Sequence, residues 1–384
     1  MKYLLLMIGF ILSFPSFSQE DYSQLVKEVS NQILSNQDVS IVGIGESCHG
    51  TNNINQVRKE LILEMIDHGN LKFIGIEERS QLIAELNELV RGNESINIDS
   101  LFINEFLWPN KNTQLYDLIL KVKAYNSTRA SSEHVQLFGI NGYYKVYSYK
   151  HQLDTSKALK TSSFHHKLDS LIETEMSNED KIVALQALKA ELYDSDSLSN
   201  FVRYDAHNYI QGLIYTYSKR MSDRFSQLDV AMFENVRLLN KMYSFSHEKM
   251  IAIWAHNGHV SNSKRISDGM GKYLKKEFNQ KYFIVGVDFV KGSFVAVDFK
   301  NNTFNLDDRY NGEFQINQED IYNDLIYTSG KIKVNAIGAM YNETHHLLKN
   351  ADWYKEKYRI GKHFDLFIRI PHTEKMEFVD GYEW

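Results

Sequence analysis

Seven short, nearly continuous apolar runs restrict the fold of this sequence most, at 39–44, 73–77, 135–140, 250–255, 282–289, 293–299 and 365–370. Each is strand length, and most do not alternate with polar residues, which marks strands buried on both faces. Helix-period stretches lie between them at 53–67, 81–91, 114–125, 181–193, 206–220 and 229–243. Strand and helix in alternation predict an α/β fold with a layered, largely parallel sheet flanked by helices. The runs at 282–289 and 293–299, split by Lys291-Gly292, predict an antiparallel hairpin at one edge. From about 149 to 227 no strand pattern appears, which predicts a helical insertion able to cap the sheet as a lid. With 43% hydrophobic residues in 384, the chain has ample material for one core, here assigned to a single domain over 19–384.

Residues 1–18 read differently. Lys2, an apolar run over 3–14, then Pro15 and Ser16-Phe17-Ser18 describe a secretory signal peptide. The run falls short of the roughly 20 apolar residues a membrane span needs, and no later segment qualifies. The expected product is exported, periplasmic or secreted, without stable membrane insertion. Cys48 is the single cysteine, so an internal disulfide is excluded and stability must come from the core. A net charge of -6 with no basic stripe argues against a nucleic-acid partner.

Three of the predicted strands run directly into ionisable side chains. "SIVGIGESCHGT" (40–51) delivers Glu46, Cys48 and His49, with Thr51 or Asn52 placed to cap the next helix. "FIGIEE" (73–78) ends in Glu77 and Glu78, and "MIAIWAHNGHV" (250–260) leads to His256, Asn257 and His259. In open α/β sheets, sites form beyond the C-terminal strand ends. A strand-end Glu is commonly a solvated residue and a lone His commonly a loop residue. Three such endings together favour one polar site. The G-x-G of "GIGE" is no dinucleotide signal, since it lacks the third glycine and a carboxylate follows at once. Arg58 lies within the apolar stripe of Ile54, Val57, Leu61, Ile62 and Met65. It either snorkels to solvent or is buried and paired with Glu46 or Glu77.

"GIGESCHGT", an Arg nine residues after the His, "FIGIEE" and "WAHNGH" together resemble the erythromycin esterase family. The resemblance runs in order from about residue 40 to 290 and weakens around the last strand. It implies an α/β core with helical additions, functional positions at Glu46, His49, Arg58, Glu77, His256 and His259, and hydrolysis of a macrolide lactone by an activated water. "LDVAMFEN" resembles the family's R-D-x-x-M-x-x-N, with Asp229, Met232 and Asn235 matching and Leu228 in place of the Arg. Cys48 stands where a small or hydroxyl residue is expected.

Residues and resemblance converge on a metal-free hydrolase acting on a small-molecule ester or lactone, with no cofactor. His49 is the expected base toward water, oriented by Glu77 or Glu46. Arg58 and one of His256 or His259 would stabilise the oxyanion or protonate the leaving alkoxide. Trp254 and Asn257 are the substrate-contact candidates. Three alternatives remain open on sequence: a zinc hydrolase using Glu46, His49, Glu77, His256 and His259, thiol catalysis by Cys48 beside His49, and an exported protein that binds a ligand without turning it over.

Overall fold

The computed structural model describes residues 19–141, 163–194, 199–218, 221–264, 268–299, 309–316, 325–335, 337 and 355–382. The expected signal peptide at 1–18 and the first part of the expected insertion lie outside them. The centre of the fold is an eight-stranded sheet. Its strands are β1 (Ile41–Ile44), β2 (Leu71–Arg79), β3 (Gln136–Asn141), β4 (Met250–Trp254), β5 (Tyr282–Phe299), β6 (Arg309–Ile316), β7 (Ile326–Tyr327) and β10 (Leu366–Thr373). Across the sheet the order is β3-β2-β4-β1-β5-β10-β7. All pairs from β3 to β10 are parallel, and only β7 runs antiparallel on this path. The predicted α/β class is the observed one. Strands β8 (Gly330–Asn335) and β9 (Lys355–Ile360) form a separate antiparallel pair.

Alternate strand residues feed two cores. Val42 and Ile44, Ile74 and Ile76, Ala252 and Trp254 face one side of the sheet. There they meet helices α1 (Gln19–Leu34), α2 (Asn52–Asp67), α3 (Ser80–Val90) and α4 (Thr113–Ser127). Ile41, Phe73, Ile251 and Ile253 face the other side. Between β3 and β4 the described residues are helical: α5 (Ser163–Glu173), α6 (Asn178–Asp194), α7 (Asn200–Tyr217) and α8 (Met221–Tyr243). Helices α8 and α9 (Met270–Phe278) cover the second face through Met232, Val236, Met270 and Leu274. Helices α5 to α7 have a small core of their own around Leu168, Leu185, Leu188, Ile210 and Leu213. No described helix is long and apolar enough to cross a membrane.

The edge hairpin expected within 282–299 is not formed there. Lys291 and Gly292 sit inside β5, paired in parallel with His372 and Thr373 of β10. Gly292 has φ +137, and a Cβ on it would stand 1.9 Å from the Thr373 carbonyl oxygen. The glycine therefore bends a continuous strand and lets β10 approach, rather than reversing the chain. The antiparallel hairpin is one strand further on, between Gly292–Phe299 of β5 and β6.

Candidate active site

The order of the sheet places β1 between β4 and β5, with β2 on the far side of β4. The chain leaves β1 toward β2 and leaves β4 toward β5, so the C-terminal ends of β1, β2 and β4 open around one crevice. The predicted residues stand there. The turn after β1 is held in place by Gly50, whose carbonyl accepts from Val295 and Met376 N–H groups. A Cβ at Gly50 would lie 1.7 Å from the Val295 carbonyl oxygen, which explains a glycine directly after His49.

Glu46 is buried and its two oxygens face different partners. Oε1 lies 2.8 Å from His49 Nδ1, and Oε2 lies 2.8 Å from a terminal nitrogen of Arg58. Glu46 Oε2 has no aligned hydrogen bond, so its contact with Arg58 is chiefly a charge pairing. Arg58 also donates to Asn55 Oδ1 at 3.0 Å and to the Ala255 carbonyl at 3.2 Å. Its guanidinium carbon lies 3.8 Å from the Trp254 ring centroid. Burial lowers the Arg58 pKa, and the Glu46 and Glu77 carboxylates oppose that fall. Of the two sequence readings, the buried pair is the observed one. The same burial corrects the expectation that Arg58 contacts substrate. At 0% exposure it cannot reach an oxyanion, and its geometry instead orients Glu46.

Glu77 and Glu78 point to opposite sides of β2, as neighbours in a strand must. Glu77 turns to the site: Oε2 accepts the His256 N–H at 2.8 Å, and Oε1 lies 3.3 Å from His259 Nε2. His259 Nδ1 lies 2.7 Å from Asp229 Oδ1, which also accepts the Met270 N–H at 2.9 Å. An imidazole with a carboxylate at each nitrogen is held as a cation. Burial alone would lower the His259 pKa, but Glu77 and Asp229 raise it well above the usual histidine range. Burial would likewise raise the Glu77 carboxyl. The charge of His259, with His49 nearby and hydrogen bonds from His259 and His256, holds it far below the usual carboxylate range instead. Glu78 is enclosed elsewhere, accepting from the Arg79 and Leu107 N–H groups and from Asn110.

The three histidines are not equivalent. His256 accepts the Gly258 N–H at Nδ1 and donates Nε2–H to the Ser47 carbonyl at 3.3 Å, which commits both nitrogens to backbone. His259 is clamped between carboxylates. His49 donates Nδ1–H to Glu46, and its Nε2 has no hydrogen bond among the described residues. Its side chain is 13% exposed. Its ring centroid lies 5.1 Å from that of His256 and 6.5 Å, edge-on, from Trp108. A basic nitrogen left open beside an oriented, charge-supported carboxylate can take a proton from water.

Two further expectations meet a different geometry. Trp254 is buried beneath Arg58. Asn257 is 2% exposed, donates its amide to the Val287 carbonyl at 3.0 Å and ties β4 to β5. Both support the site from below. Thr51 occupies the N-cap of α2, yet its hydroxyl donates to the Cys48 carbonyl and makes no capping bond. Sequence reasoning did not single out Asp229 and Trp108 as site residues. Asp229 lay within the quoted "LDVAMFEN" pattern, whereas no spacing signals Trp108. Leu228, the residue before Asp229, packs against the second core.

The geometry also bears on the alternatives. Among the described residues, no three His, Cys, Asp or Glu side chains are placed to hold a metal ion. Arg58 occupies the ligand face of Glu46, and both nitrogens of His256 are already used. Cys48 is fully buried in the first core, and burial, with Glu46 and Asp288 nearby, raises its thiol well above the usual value despite a Gly50 hydrogen bond. A buried neutral thiol is a poor nucleophile. We expect Cys48→Ser to keep its turnover while melting at lower temperature, because a hydroxyl replaces sulfur in an apolar setting. A kcat loss matching that of a His49 variant would contradict this placement.

The Asp229–His259–Glu77 clamp has a pH signature. A raised His259 pKa stabilises the fold fully below its ordinary value of 6.5, and that stability is lost as pH rises through the native value. Asp229→Asn keeps an acceptor for the Met270 N–H but removes one charge. The stability gap between wild type and Asp229→Asn should therefore be wide near pH 6 and narrow toward pH 9, read from urea midpoints. A gap constant over that span would mean that His259 carries no proton beyond the ordinary.

Residues 66–373, well over half of the chain, match the family model described as erythromycin esterase. The first motif and Arg58 precede this span, although the fold joins them to it. No match is found among curated proteins. A solved protein from Bacillus cereus is similar, with TM-score 0.71 and 15% identity over 95% of each chain. A structure described as a succinoglycan biosynthesis protein has TM-score 0.66 and 14% identity over 94% of this chain and 93% of its own. An erythromycin esterase, EreC, solved as a histidine-to-asparagine variant in its open conformation, has TM-score 0.59 and 15% identity over 92% and 95%. At such identities these structures speak for the fold alone, and it is the family match that makes this chain a member of the erythromycin esterase family of hydrolases.

Proposed function

We propose that the protein is an exported, metal-independent carboxylic ester hydrolase that opens a macrolide lactone or a related ester with water activated by His49. One observation carries the reading: among the described residues, His49 is the site histidine with a nitrogen that meets no partner, while Glu46 and Arg58 hold its other side. In this reading Nε2 takes a proton from water as the hydroxide attacks the ester carbonyl. Glu46 stabilises the resulting imidazolium. His259, with both ring nitrogens on carboxylates, holds Glu77 in place beside the base rather than donating to the substrate. Collapse of the tetrahedral adduct breaks the bond to the alkoxide, which recovers the proton from His49. The products are a carboxylate and an alcohol, joined in one molecule when the substrate is a lactone. Trp108 forms an aromatic wall beside the base, and helices α5 to α7 are the elements that would cap the crevice.

Incubation of the purified protein with macrolides and simple esters tests this by mass spectrometry. The expected product is the ring-opened acid, one water heavier, at a rate unchanged by chelator. Turnover lost to chelator and restored by zinc would overturn metal independence, and no ester hydrolysis at all would overturn the reaction class. Export is tested separately by the N-terminus of the mature protein, expected at Gln19.

A further inference from the structure

A second cleft, of about 420 Å³, lies between α6, α7 and α8 and is lined by none of the active-site residues. Its wall includes Lys189, Tyr193, His207, Gln211, Glu234 and Arg237. Two of these are left incomplete by the protein. His207 is 1% exposed, and a hydrogen-bond chain fixes its tautomer. Asn235 donates its amide to the Ile140 carbonyl and to Asn208 Oδ1, so its own Oδ1 can only accept. His207 Nδ1, 3.1 Å away, must therefore donate. Burial, with the charges of Lys189 and Arg237, pushes the His207 pKa down to about 3, so the ring is neutral. Its Nε2 is then an acceptor with no donor among the described residues, open to whatever occupies the cleft.

Arg237 is the second incomplete group. Its guanidinium lies 4.8 Å from the Tyr193 ring centroid and 5.6 Å from that of Phe233. Among the described residues it has no carboxylate partner, and its Nε is buried without a hydrogen bond. Glu234 does not serve it, because Lys189 and Gln211 both donate to Glu234 Oε2. Asp194 is paired with Lys241. Among the described residues the cleft wall thus presents a cation without a carboxylate and an acceptor without a donor.

We propose that this cleft binds a small hydroxylated carboxylate, its carboxylate on Arg237 and one hydroxyl donating to His207 Nε2. A carboxylate alone would leave the imidazole open, and a neutral polyol would leave the guanidinium without a counter-charge. The site does not depend on the hydrolase reading, since its test reads binding rather than turnover. The probe is D-glucuronate, titrated into full-length 15N-labelled protein while the imidazole nitrogens are followed by NMR. Saturable binding is expected, with the His207 Nε2 resonance shifting as it accepts a hydrogen bond while the His49 resonances stay fixed. Acetate and glucose, each with half of the recognition, should bind at least about tenfold more weakly, as should glucuronate to Arg237→Gln. An unmoved His207 Nε2 signal in wild-type protein at saturating probe would overturn the proposal whatever the variant does. So would equal affinity for glucose, or for glucuronate in a folded Arg237→Gln protein.

Discussion

His49→Ala is expected to lower kcat/KM by about two to four orders of magnitude on any ester the protein hydrolyses, because it removes the base that accepts the water proton. Thermal unfolding should scarcely move. The His49 side chain is partly exposed, and among the described residues its ring hydrogen-bonds only to Glu46, which keeps its charge contact with Arg58 when the imidazole is gone. The two readouts together make the test specific. A variant that retains near wild-type kcat/KM would pass the role of base to another residue. One that loses activity only because it unfolds would show His49 to be structural. His256→Ala should behave in the second manner, since its ring carries backbone hydrogen bonds from the Gly258 N–H and to the Ser47 carbonyl.

Arg58→Ala is expected to lose both stability and activity. It leaves Glu46 buried without its cation and opens space under the Ala255 carbonyl and the Trp254 ring. Removing one partner of a buried ion pair costs about 3–5 kcal/mol, a large share of the about 5–15 kcal/mol that holds a typical domain folded. Activity should fall through Glu46, which no longer has a fixed orientation for His49. Arg58→Lys is expected to fail as well, because one ammonium cannot serve Glu46, Asn55 and the Ala255 carbonyl while stacking on Trp254. Urea denaturation and kcat/KM measured on the same preparations check this. A stable, active Arg58→Lys protein would reduce the requirement to charge alone. An Arg58→Ala protein with an unchanged urea midpoint would remove the buried pair from the account of the site.

What could be read from the sequence follows from how locally each signal is encoded. The parallel sheet was legible because strands buried on both faces need continuous apolar runs, as at 39–44 and 250–255. Helix α1 and the β8–β9 pair were missed. Gln19–Leu34 mixes charges among its apolar positions, and Gly330–Asn335 and Lys355–Ile360 are mostly polar. Glu46, His49, Arg58, Glu77, His256 and His259 were recognisable as a group because each follows a strand end or sits against an apolar pattern that excludes its type. Their division of labour was not legible. It depends on which atom each side chain meets: Arg58 on Glu46, Asp229 on His259, backbone on both nitrogens of His256. Lys291-Gly292 reads as a turn by composition, yet β10 holds it inside a strand through pairing with residues some eighty positions away. Residue type and spacing along the chain specify which chemistry is present. Only the packing of distant segments decides which nitrogen is left free to perform it, because a hydrogen-bond partner is a fact of three-dimensional distance.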